Sequence, residues 1–131
     1  MTEAAPARRS ALSWPWAVGI DAVLVIVFAA IGRASHEHTV DALGVLETAW
    51  PFLVGVAAGW LVLRVWKAPA APLRTGIPLV VITVVLGMIL RVVGGGTTAV
   101  AFIIVATVTL AVFLMGWRGI VALVARVRAG R

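Results

Sequence analysis

The chain has 131 residues, 63% of them hydrophobic and 12% charged, with no cysteine. A mean hydropathy of +1.12 is too apolar for a water-soluble fold of this size, which must leave much of its surface in solvent, and the missing thiols exclude disulfides, iron–sulfur clusters and cysteine-ligated zinc. The net charge of +6 does not read as a nucleic-acid footprint, because the basic residues are scattered around apolar runs and form no stripe with stacking aromatics.

The composition predicts an all-α integral membrane protein, a single domain over residues 1–131 built as a bundle of four transmembrane helices. Crossing about 30 Å of hydrocarbon takes roughly 17–25 helical residues, and four runs are long enough. They are continuous rather than alternating, so they are helices and not barrel strands.

The first run is Trp14–Ile31. Arg8 and Arg9 precede it, as in a signal peptide or a twin-arginine leader, but the run is longer than a signal core, carries Asp21, and is followed by three more. It reads as a retained span. The stretch from Gly32 to Ala49 is then an outer loop with room for a surface helix, and it holds the polar residues His36, Glu37, His38 and Asp41. His-x-His is a weak metal signal on its own, since zinc needs three or four ligands in fixed geometry, so no metal site and no cofactor are expected. The second span, Trp50–Trp66, opens on Pro51, where a proline at the helix start sacrifices no hydrogen bond, and contains Gly55 and Gly59 in a GxxxG pattern that lets two helix backbones approach closely. Pro69 and Pro72 make the second loop, Lys67 to Gly76, a restrained turn. The third span, Ile77–Val93, and the fourth, Thr98–Trp117, are joined only by Gly94-Gly95-Gly96-Thr97, which demands a tight antiparallel hairpin. Thr83, Thr107 and Thr109 in these spans are expected to bond carbonyls of their own helices. The tail from Arg118 to Arg131 is apolar with spaced arginines, and either extends the fourth span or lies along the membrane surface.

Orientation follows from the loops. With the N-terminus inside, Arg8, Arg9, Arg64, Lys67, Arg74, Arg118, Arg126, Arg128 and Arg131 face the cytoplasm, and only Arg33 and Arg91 face out. This is the positive-inside bias. The tryptophans agree, with Trp14, Trp16, Trp66 and Trp117 at the inner boundary and Trp50 at the outer one, where an indole keeps its N–H wet. The expected protein is therefore a multi-pass plasma-membrane protein with cytoplasmic tails at 1–13 and 118–131.

Few residues could carry chemistry. Asp21 lies about two turns into the first span, where an ionised carboxylate costs roughly 2.5–3.5 kcal/mol on insertion scales, so it should face the bundle interior. A carboxyl in such a place is either a candidate ion- or proton-responsive group or one half of a structural ion pair, and Arg64, at a similar depth on the second span, is the partner expected for it. Arg91, Gly95 and Thr97 form a weaker candidate anion site, for which the plainer reading is a snorkelling arginine beside a glycine turn. Gly55 and Gly59 are assigned to helix packing.

The segments VFAAIGRASH, TAWPFLVG and GGGTTAVAFIIVAT, in this order and spacing, resemble a family of small prokaryotic membrane proteins, mostly actinobacterial and haloarchaeal, filed as a domain of unknown function (number three thousand and fifty-four). The resemblance runs from about Ala17 to Arg118. It implies a four-helix membrane protein and no assigned activity.

Two functional expectations follow. One is a small transporter or channel component, in which Asp21 responds to ions or protons and more than one protomer lines the path. The other is a non-catalytic accessory or structural subunit, a homo-oligomer or a subunit packed against a larger membrane partner. Enzymatic activity is not expected, because no span presents paired carboxylates or a nucleophile with a base. The partners expected are the lipid bilayer and other membrane proteins, and not nucleic acid.

Overall fold

The computed structural model describes residues 13–35, 41–96 and 99–130. Four helices account for most of them: α1 (Trp14–Ser35), α2 (Ala42–Leu63), α3 (Gly76–Val93) and α4 (Val100–Ala129), with a 3₁₀ turn at Val65–Lys67 after α2. There is no strand among the described residues. Each helix is long and apolar enough to span a membrane, and the protein is a multi-pass membrane protein. The helices run up, down, up and down, and pack in a ring: α1 on α2, α2 on α3, α3 on α4, and α4 back on α1.

The helix ends differ most from the sequence expectation in two places, the start of the second span and the end of the fourth. The second span begins at Ala42 rather than Trp50, because Asp41 caps it: its side chain accepts a hydrogen bond from the Gly44 N–H at 2.7 Å. Pro51 consequently lies inside α2 and not at its start. The carbonyl four residues earlier loses its N–H partner, a defect that packed membrane helices tolerate. The 32–49 loop expected from the sequence shrinks accordingly, and His36, Glu37 and His38 fall outside the described residues. The fourth span, expected to stop at Trp117, continues unbroken to Ala129, about 45 Å of helix. Arg118 is part of α4 and not of a tail.

Buried residues form one stripe per helix. On α1 they are Ala17, Asp21, Val25, Phe28 and Ala29; on α3 Leu79, Val80, Thr83, Val84 and Gly87; on α4 Ala106, Leu110, Leu114 and Arg118. These are helical repeats of three and four. The remaining faces are apolar and exposed, as lipid requires.

The α2–α3 contact is the closest. A Cβ on Gly55 would lie 2.8 Å from the Thr83 carbonyl oxygen, and one on Gly59 would lie 2.6 Å from a Leu79 methyl. The GxxxG face is thus turned toward α3 of the same chain. Phe52 fills the notch at Gly87 and meets Phe28 edge-on at 5.3 Å between ring centroids. Thr107 bonds the Ile103 carbonyl as expected, whereas the buried Thr83 hydroxyl has no partner among the described residues.

Candidate functional site

Two ionisable side chains are fully buried among the described residues, Asp21 and Arg118, and they meet each other. Asp21 follows Ala17 by four residues on the inward stripe of α1. Arg118 follows Leu114 by four on the inward stripe of α4. The two stripes converge at the end of the bundle where α1 begins and α2 ends.

The guanidinium grips the carboxylate with both arms: Nη1 donates to Oδ1 at 2.9 Å and Nη2 to Oδ2 at 2.6 Å. Two indoles complete the shell. Trp117 Nε1 donates to Oδ1 and Trp60 Nε1 to Oδ2, each at 2.9 Å. Arg118 is anchored in turn, its Nε donating to the Pro69 carbonyl at 2.7 Å and its Nη1 to the Leu114 carbonyl at 2.8 Å. The Pro69 bond ties the 68–75 connection to α4, and Thr75 holds that connection further through its hydroxyl, which donates to the Ala68 carbonyl at 2.6 Å. One carboxylate therefore joins α1, α2 and α4, and its arginine adds the turn between α2 and α3.

Every group hydrogen-bonded to Asp21 is a donor with no acceptor capacity, since neither an indole N–H nor a guanidinium can accept. Each carboxylate oxygen receives two hydrogen bonds. A proton placed on either would face an N–H, so the shell is matched to the anion. Such bidentate, charge-assisted bonds are the strong kind, and in a dry interior the pair must be this well satisfied to offset its desolvation.

The partner expected for Asp21, Arg64, is not the one it has. Arg64 is exposed at the C-terminal cap of α2 with φ 53°, and its backbone N–H donates to the Trp60 carbonyl. The left-handed turn takes it out of the helical register, whereas α4 passes Trp117 without a break and keeps Arg118 on its buried face. Trp117 was expected to hold its N–H in water and instead gives it to Asp21. Trp60, four residues after Val56 and eight after Phe52 on the buried side of α2, had no expected role; that spacing is the signal that marks it.

The other predicted residues lie elsewhere. Arg91 sits at the opposite end of α3, its guanidinium 4.2 Å from the Phe102 ring centroid, a cation–π contact. Gly95 makes the turn with φ 95°, and the Gly96 N–H closes it on the Arg91 carbonyl at 2.8 Å. Thr97 lies outside the described residues. Gly55 and Gly59 are at the α2–α3 contact.

The sequence profile of a family described as "Protein of unknown function (DUF3054)" matches residues 18–121, a stretch that includes Asp21, Trp60, Trp117 and Arg118. Neither the curated proteins nor the solved structures yield a match.

Proposed function

The chain belongs to the DUF3054 family, and from that premise we propose that it is a non-catalytic structural or accessory membrane protein in which Asp21 is a structural anion and not a transported-ion site. The observation that carries this reading is the closed donor shell: all four hydrogen bonds to Asp21 come from side chains of the chain itself, and neither Asp21 nor Arg118 is exposed. An ion-translocating carboxylate needs an approach for its ion and a way to release it. This one is enclosed and neutralised. The protein would sit in the plasma membrane with both termini in the cytoplasm, the orientation favoured by its basic loops, and would offer its apolar outer faces to lipid, to further copies or to a larger membrane partner.

Transport is the second reading, favoured by the rarity of charged residues inside spans and their usual link to ion pathways. The two readings separate in proteoliposomes. The structural reading predicts that the purified protein supports no proton- or cation-dependent flux above empty vesicles. Flux from the wild type that Asp21→Asn abolishes, with helicity retained, overturns it in favour of transport.

A further inference from the structure

We propose that the groove between the start of α1 and the end of α2 binds one anionic phospholipid, with an acyl chain in the groove and the phosphate at Arg64 and Lys67. The groove is about 550 Å³ and is lined by Trp14, Val18, Ala57, Trp60, Leu61 and Trp66. Among the described residues no charged side chain lines it. Its wall is stiffened from behind, because Trp60 presents its ring to the groove while its N–H is fixed on Asp21. Leu61 and Trp14 are largely exposed, so the groove opens toward lipid and not into the bundle.

Charge selects the headgroup. Arg64 caps the end of α2, directly after Leu63 and close in sequence to the groove residues Trp60 and Leu61, and Lys67 adjoins the groove residue Trp66; both are exposed. Nothing described at this end of the bundle neutralises them. Among the described residues the one carboxylate at this end is Asp21, which is buried and held by Arg118, while Asp41 and Glu47 lie toward the opposite end of α2. An apolar slot capped by two unneutralised cations, and edged by indoles suited to the membrane interface, is complementary to an acyl chain ending in a phosphate. A soluble anion would not use the slot, and an uncharged lipid would not use the cations.

The test is native mass spectrometry of the protein released from mild detergent, titrated with phosphatidylglycerol and phosphatidylcholine of the same chains. One phosphatidylglycerol is expected to be retained in preference. Arg64→Gln with Lys67→Gln should weaken its binding by roughly fivefold per charge removed, while Arg126→Gln with Arg128→Gln, which removes equal charge from the far end of α4, should leave it unchanged. Ala57→Phe, which fills the groove from an exposed position, should also weaken it; the charge variants decide the matter if that variant misfolds. Equal retention of the two lipids overturns the proposal, as does equal loss in both charge pairs. Displacement by water-soluble glycerol phosphate would show that the phosphate binds without the groove, and overturns it too.

Discussion

Removing one partner of the Asp21–Arg118 pair should be far more damaging than its share of the buried surface suggests. Arg118→Met takes away both arms of the fork and the bonds to the Pro69 and Leu114 carbonyls, leaving a buried carboxylate with two indole donors. Stranding one charge of a buried pair costs about 3–5 kcal/mol. Asp21→Leu strands the guanidinium with only carbonyl acceptors and should cost a similar amount. The double variant Asp21→Leu/Arg118→Met strands neither charge. Its losses are the two indole N–H groups and the Pro69 tether, about 1–3 kcal/mol for each indole left unsatisfied, so it should fall short of the additive sum by about 3 kcal/mol. Unfolding in mixed detergent micelles, followed by helicity and by tryptophan fluorescence, measures all four corners of the cycle. Additivity within about 0.5 kcal/mol would refute the reasoning, because independent residues, and not a clamp, behave that way.

Three further outcomes are expected. Gly55→Ala pushes a methyl against the Thr83 carbonyl at 2.8 Å and should destabilise the fold by about 1–3 kcal/mol, whereas Gly116→Ala, with nothing within 4 Å, should be neutral or gain up to about 1 kcal/mol from helix propensity; equal effects in the same unfolding assay would contradict the close α2–α3 approach. Thr83→Val replaces a buried hydroxyl without a partner by a group of the same shape and should raise stability, by up to about 1–3 kcal/mol; a loss of that size would mean the hydroxyl is bonded. Reporters fused after Arg131 should be active only in the cytoplasm, and periplasmic activity would invert the orientation.

Much of this architecture is legible in the residues. Four apolar runs, a glycine hairpin and a lopsided distribution of arginines are features of one dimension, and a linear reading captures them. The pairing of buried side chains depends on the other two. Arg64 and Arg118 both follow apolar runs that finish at the same end of the bundle, so only the direction each side chain faces distinguishes them. Because α1 and α4 are apolar on all sides, no polar face marks which stripe turns inward. The stripe is the recurrence of Ala106, Leu110, Leu114 and Arg118 every four residues, and a span that stops at Trp117 leaves out the last of them. Asp41 misled for the opposite reason. Its polar neighbours His36, Glu37 and His38 suggest a loop, while its local chemistry, a carboxylate three residues before an N–H it can cap, marks the start of a helix.

The most direct test of the clamp is solid-state nuclear magnetic resonance on the protein in lipid bilayers, with carbon-13 at aspartate carboxyls and nitrogen-15 at arginine side chains. The chain contains only two aspartates, Asp21 and Asp41, and Asp41→Asn assigns the remaining signal. The structure predicts a strong dipolar coupling from the Asp21 carboxylate carbon to the Arg118 Nη nitrogens, absent in Arg118→Lys and untouched in Arg64→Gln. A folded protein in which that coupling is missing, or disappears with Arg64 instead, would contradict it.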